Sequence, residues 1–139
     1  MIELENNTPL NVNEAFLNEI ASSLTTKEIE LIITTDQAIK LLNNEHRGIN
    51  KETDVLSFPY DDMPMAPLGS IVISDSHVID KAKEFSHSCD DELTLLFIHG
   101  LLHLLGYDHE VDNGEMRLEE KNIIEKFNLP QSLIIRTQG

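Results

Sequence analysis

Three histidines are spaced so that a helix and the turn after it could bring them together. They are His99, His103 and His109, in the segment HGLLHLLGYDH of residues 99–109. Positions four apart lie on one face of an α-helix, and Gly106 can end the helix through a left-handed residue so that His109 turns back. Three imidazoles directed at one point suit zinc or a similar divalent ion. The segment therefore predicts a metal site with these three histidines as ligands.

The number of available ligands favours a catalytic metal over a structural one. Structural zinc sites are usually closed by four protein ligands, often cysteine, but only three strong ligands can be named and the chain has one cysteine, Cys89. An open fourth position could take a water molecule, whose pKa falls to about 7 on zinc. In the alternative without a metal, two core histidines are satisfied by backbone carbonyls and the third is an exposed loop residue.

Gly100 stands where a zinc peptidase would carry its catalytic base. The peptidase pattern H-E-x-x-H-x-x-G-x-x-H has glutamate directly after the first histidine, and the chain has glycine there. Asp108 and Glu110 flank His109 and are candidates for an auxiliary base, although for Asp108 we favour orienting a ligand or stabilising the turn. A metallopeptidase or amidase is the alternative enzyme, and Gly100 argues against it.

The strands and helices that must position these residues can be predicted from the sequence, and together they indicate a small sheet covered by helices. Residues 93–105 are apolar except at four positions, and a helix that is apolar on all sides is normally buried at the centre of a domain. Periodicity and turn signals predict strands at residues 1–5, 28–34, 54–60 and 69–74, and helices at residues 12–24, 36–47, 75–87, 90–105 and 113–127. This order predicts a single α+β domain over residues 1–139, with a small four-stranded mixed sheet, about five helices and a zincin-like central metal-binding helix.

Composition and sequence pattern favour a single folded domain and argue against a generic nucleic-acid binder, a secreted protein and a membrane protein. A chain of 139 residues suits one domain, and 40% hydrophobic residues are enough for a core. The formal net charge of -15 argues against a generic nucleic-acid binder, which usually carries a basic patch. The lone cysteine fits a reducing cytosol, and the first ten residues lack the basic start and apolar core of a signal peptide. Since the longest apolar stretch is too short to span a bilayer, we expect a cytoplasmic protein without a membrane role.

Two stretches of the chain resemble the YbeY family of bacterial metal-dependent endoribonucleases, which act in ribosomal RNA maturation. The segment HGLLHLLGYDH looks like the family's histidine signature. The segment LLNNEHRGINKETDVLSFPY, residues 41–60, is similar to the family's LN…R…TDVLSFP segment. A third stretch, LGSIVIS at residues 68–74, matches the family's GDI strand imperfectly, because Ser70 stands where the family has aspartate.

The resemblance implies one zinc ion on the three histidines and a functional arginine, Arg47, in the cleft. A planar, permanently charged guanidinium suits a phosphodiester and the extra charge of its transition state, whereas the alternative is a solvated arginine at a helix end. The resemblance further implies a single-strand-specific endoribonuclease acting in small-subunit rRNA 3′-end maturation and ribosome quality control. RNA and the ribosome or its proteins would be the partners, with no organic cofactor. The second alternative is a non-catalytic ribosome-assembly factor with a structural metal.

For the other polar residues of the matched segments, we expect mainly structural or supporting roles. Thr53, Asp54 and Ser57 are expected to cap and pair the strand rather than to shape the site. Ser70 could orient a ligand or pair with a cation only weakly compared with aspartate. We therefore expect a detail of the site to differ from the family pattern, with the three histidines unaffected. Arg47 and Lys51 could supply positive charge near the cleft, or a basic partner such as a ribosomal protein could help to bring the RNA.

Overall fold

One four-stranded sheet and six helices make up the described part of the chain. The computed structural model describes residues 1–61, 63–108 and 111–138. The strands are β1 (Ile2–Asn6), β2 (Ile29–Thr34), β3 (Val55–Pro59) and β4 (Gly69–Ser74). The helices are α1 (Glu14–Leu24), α2 (Asp36–Arg47), α3 (Asp75–Glu84), α4 (Cys89–Leu104), α5 (Glu115–Lys126) and α6 (Gln131–Gln138). The predicted α+β class and four-stranded sheet are confirmed.

The sheet is mixed, and β3 forms one of its edges. Its order is β1-β2-β4-β3, with β1, β2 and β4 parallel and β3 antiparallel to β4. Because side chains alternate along a strand, each face carries its own apolar set. Leu31 and Ile71 pack on the face that α1 and α4 cover, whereas Leu56 and Val72 pack on the face that α2 covers. Residues on opposite faces of β4 therefore meet different helices.

Helix α4 lies between the sheet and helices α5 and α6, as expected for a helix that is apolar all round. Its Phe97 packs with the sheet, and its Ile98 packs with residues of α1 and α5. From residue 92 to residue 104 every side chain is buried except His99 and His103, which are half-buried. The two histidines thus mark the place where a buried helix reaches a surface. No helix in the described ranges has both the length and the apolar character needed to cross a lipid bilayer.

Helix α6 was not predicted, and it brings the number of helices in the described ranges to six rather than about five. The last predicted helix ends at residue 127, and the Pro130 that follows is suited to the first turn of a new helix. The segment is too short, at eight residues, to show a clear helical period. Its Leu133 and Ile134 complete a small apolar cluster with Leu95 of α4. The helix is therefore held mainly by tertiary packing.

Candidate active site

A cleft of about 400 Å³ opens where the end of α2, the strand β3 and the C-terminal half of α4 meet. Its lining includes Arg47, Asp54, His99, His103 and Asp108. The structure therefore brings together four of the residues predicted to do chemistry, Arg47 from one segment of the chain and His99, His103 and Asp108 from another. The remaining predicted ligand, His109, and the candidate base Glu110 lie outside the described residues.

His99 and His103 direct their Nε2 atoms at each other. His99 Nε2 and His103 Nε2 are 3.1 Å apart, as the spacing of four residues along one helix face predicts. His99 Nδ1 lies 3.1 Å from Oε1 of Glu120. His103 Nδ1 lies 3.0 Å from the carbonyl oxygen of Tyr107. Since a carboxylate and a carbonyl can only accept, each Nδ1–H is the donor, and in a neutral ring the lone pair is then on Nε2.

This arrangement of nitrogens fits a divalent metal ion. Two lone pairs 3.1 Å apart repel unless a proton or a cation lies between them. Two nitrogens bound tetrahedrally to one zinc at about 2.0–2.1 Å would be about 3.3 Å apart, close to the distance observed. Within the described ranges no group of three histidine, cysteine or acidic side chains that could hold a metal is present. His99 and His103 could therefore supply two ligands, and a third would have to come from a residue such as His109.

Glu120 is a site residue that the sequence analysis missed. It lies on α5, is 2% exposed, and holds the ring of His99. Its neighbours one turn away, Met116, Ile123 and Ile124, are buried apolar residues. A carboxylate within an apolar stripe needs a partner, so this pattern in the sequence could have predicted that Glu120 pairs with another polar group. The hydrogen bond fixes the tautomer of His99, as partners of metal-binding histidines generally do.

The turn after α4 supplies the partner of the other histidine. Gly106 has φ +102° and donates its backbone N–H to the carbonyl of His103, at 3.0 Å. The predicted left-handed glycine is thereby confirmed. The turn places the carbonyl of Tyr107 against the ring of His103. Asp108 follows and lines the cleft, while its own carbonyl accepts hydrogen bonds from the backbone of residues 111 and 112.

Gly100 is required by the close approach of α4 to the sheet. A Cβ atom at this position would lie 2.8 Å from Cγ2 of Ile71 and 3.2 Å from Oγ of Ser57. Ile71 is a fully buried β-branched residue of β4, so it has little freedom to move aside. Ser57 also donates a hydrogen bond to the Gly100 carbonyl, at 3.0 Å. The position that carries the catalytic glutamate in zinc peptidases has no room here for a side chain.

Replacing Gly100 with alanine is expected to destabilise the protein. In an unobstructed helix this change stabilises by about 1 kcal/mol, but overpacking a core costs about 1–3 kcal/mol, so the contact with Ile71 should reverse the sign. Urea denaturation would measure the change, with Ser22→Ala on the exposed side of α1 as the control. A variant more stable than the parent would show that the helix can shift away from the sheet.

Ser70 lies on the face of the sheet opposite the histidines. Its hydroxyl is 2.7 Å from the hydroxyl of Tyr60 and donates to Glu30 Oε2 at 3.0 Å. Glu30 is its register partner on β2. The Tyr60 hydroxyl also donates to Glu30 Oε2, at 2.6 Å, and this hydrogen bond raises the pKa of the Tyr60 phenol. A carboxylate is thus present one strand away from the position where the family has aspartate. Ser70 is absent from the described lining of the cleft, so its substitution does not change the groups beside the histidines.

Residues of the matched segment form the other wall of the cleft. Arg47, the last residue of α2, is exposed and lines the cleft. Thr53 and Asp54 make local hydrogen bonds at the start of β3, as predicted, whereas the Ser57 hydroxyl donates to the distant Gly100 carbonyl of α4. All three residues also line the cleft. Asp54 has a second partner, Arg136 of α6, which the sequence analysis missed because α6 itself was missed.

Comparison with known proteins supports the fold and indicates the family. The family model described as Endoribonuclease YbeY matches residues 3–128. The chain is 62% identical to the Endoribonuclease YbeY of Sulfurimonas denitrificans over the full length of both chains. It is 49% identical to that of Helicobacter pylori, covering 99% of each chain. The solution structure of a Thermotoga maritima protein superposes with a TM-score of 0.62 at 29% identity, covering 91% of this chain and 89% of that one. The chain therefore belongs to the endoribonuclease YbeY family.

Proposed function

We propose that this protein is a zinc-dependent endoribonuclease that cleaves single-stranded RNA, with one zinc ion held by His99, His103 and His109. The observation that carries the proposal is the pair of Nε2 atoms 3.1 Å apart in a cleft shared with Arg47. Membership of the endoribonuclease YbeY family supports the phosphodiester as the bond that is cleaved. A zinc ion bound there would supply a Lewis acid and a source of nucleophile at neutral pH.

The chain's own residues have distinct tasks in this reaction. Arg47 binds a phosphate oxygen and balances the charge that develops in the transition state, because its guanidinium stays charged and can donate two parallel hydrogen bonds. Glu120 and the carbonyl of Tyr107 hold the two imidazoles in the tautomer that leaves Nε2 for the ion. Asp108, which lines the cleft, orients a ligand or accepts a proton. Both a water molecule and the 2′-hydroxyl of the RNA remain candidates for the nucleophile.

The cellular role that we propose is small-subunit rRNA 3′-end maturation and ribosome quality control, in the cytoplasm. The resemblance of the histidine signature and of the TDVLSFP segment to the family supports this role. The ribosome or its proteins would be partners, since a basic protein partner would also offset the net charge of -15 when RNA approaches. The rival is an assembly factor whose metal only holds the fold.

A comparison of substrates tests the proposed reaction. The purified protein is incubated with a single-stranded RNA and with casein, each with and without a chelator. We expect chelator-sensitive cleavage of the RNA and intact casein, because Gly100 leaves no room for the peptidase glutamate. Chelator-sensitive proteolysis with intact RNA would instead support the metallopeptidase alternative.

Glu120→Gln is expected to weaken zinc binding by about 10- to 100-fold, the usual effect of losing a hydrogen-bond partner of a metal ligand. The amide keeps the shape of the side chain but removes the negative charge that makes His99 a better ligand. Competition with a chromogenic chelator would measure the affinity. Glu125→Gln, on the exposed side of the same helix, is the control. Equal affinities in the two variants would exclude this role for Glu120.

A further inference from the structure

A second ionic cluster lies next to the cleft and includes no histidine of the proposed metal site. Its centre is Glu92 of α4, whose side chain is fully buried. Glu92 Oε1 is 2.8 Å from Nε2 of His87, and Glu92 Oε2 is 3.4 Å from Nη2 of Arg136. The guanidinium of Arg136 also lies over the ring of Phe85, with its central carbon 5.6 Å from the ring centroid. Arg136 is therefore held on more than one side.

The same guanidinium nitrogen reaches the wall of the cleft. Arg136 Nη2 is 3.3 Å from Oδ2 of Asp54, so a single group connects a buried carboxylate with one that lines the cleft. The other oxygen of Asp54 accepts hydrogen bonds from the backbone N–H of Val55 at 2.8 Å and from the hydroxyl of Thr53 at 3.3 Å. Both oxygens of Asp54 are thus engaged by donors of the protein. Asp54 is placed as a fixed wall group rather than as a base.

A carboxylate in this wall is unfavourable for an anionic substrate. Asp54 lines the same cleft as Arg47, whose task in the proposed function is to bind a phosphate. An uncompensated negative charge there would repel the phosphate and weaken the pull of Arg47, and the repulsion would be strong because the walls of a cleft limit solvent screening. The cation of Arg136, which Asp54 shares with Glu92, offsets part of the charge of Asp54.

We propose that Arg136 is a positioning residue for RNA binding: it offsets the charge of Asp54 and holds this side chain in place, so that a phosphate can approach Arg47. This inference rests on the proposed function. It gives α6, the last helix described, a role in the site that neither its sequence nor its distance along the chain from the histidines indicates. The expected kinetic signature is a higher KM for RNA without Arg136, with kcat unchanged, since Arg136 touches neither substrate nor metal.

The test must separate this role from the support that Arg136 gives to buried Glu92. Removing one partner of a buried ion pair is strongly destabilising, so Arg136→Gln is made in a Glu92→Gln background, where no buried carboxylate loses its cation. A third variant adds Asp54→Asn. The control is Arg117→Gln in the same background, because Arg117 is exposed on α5 and its loss changes the net charge equally.

Steady-state cleavage of a single-stranded RNA by the zinc-loaded proteins measures KM and kcat for each variant. We expect KM to rise about fivefold when Arg136 is replaced, less so at high salt, and to return to the background value when Asp54→Asn is added. An unchanged KM, an equal rise in the Arg117 control, or a rise that Asp54→Asn does not reverse would overturn the inference while RNA is still cleaved. If the parent protein cleaves no RNA, the proposed function fails, and the role of Arg136 in RNA binding fails with it.

Discussion

His103→Ala is expected to abolish RNA cleavage and to leave the protein folded. Without this ring, His99 loses the partner nitrogen 3.1 Å away, and zinc affinity should fall by more than about 100-fold, the upper end for losing only an outer partner of a ligand. The fold should persist because α4 is buried from Glu92 to Leu104, apart from the two histidines, against the sheet, α1, α5 and α6. Metal analysis, circular dichroism and RNA cleavage measure the three effects.

His77→Ala is the control, because it removes an imidazole that lies outside the described lining of the cleft and pairs with Asp36. It should keep its zinc and its activity. If His103→Ala unfolds the domain instead, the metal holds the fold and the assembly-factor alternative gains support. If the variant cleaves RNA as fast as the parent, the histidine is no part of the active site.

Arg47→Ala should lower kcat by about 10²–10³-fold, the range found when one stabilising donor is removed from a transition-state site. The variant should keep its zinc and its stability, because Arg47 is an exposed residue at the end of α2. Arg117→Ala, which removes the same charge from the exposed side of α5, should cleave normally. An Arg47→Ala protein that is as active as the parent would show that the arginine is only a solvated helix-end residue.

The histidine helix could be predicted because its signals are local. Its apolar run places it at the centre of the domain, the spacing of His99 and His103 places them on one face, and Gly106 ends the helix. The alternation of the strands likewise predicted the sheet. None of these inferences depends on knowing which elements touch.

What could not be predicted depends on contacts between distant segments. Glu120 of α5 contacts His99 of α4, and Arg136 contacts Asp54, which lies 82 positions away in the chain. The alternation of β4 shows that Ser70 and Ile71 face opposite ways, but only the packed structure shows that Ile71 faces α4. The close approach at Gly100 has the same origin, since an isolated helix gives no reason for a glycine there.

The central claim is that a zinc ion in the histidine cleft drives RNA cleavage. Its most direct test is the metal content of the purified protein, measured together with cleavage of ribosomal RNA before chelation, after chelation and after zinc is added back. We expect one zinc per chain, loss of cleavage when the zinc is removed, and recovery when it is restored. A metal-free protein that cleaves ribosomal RNA at the rate of the zinc-loaded protein would contradict it.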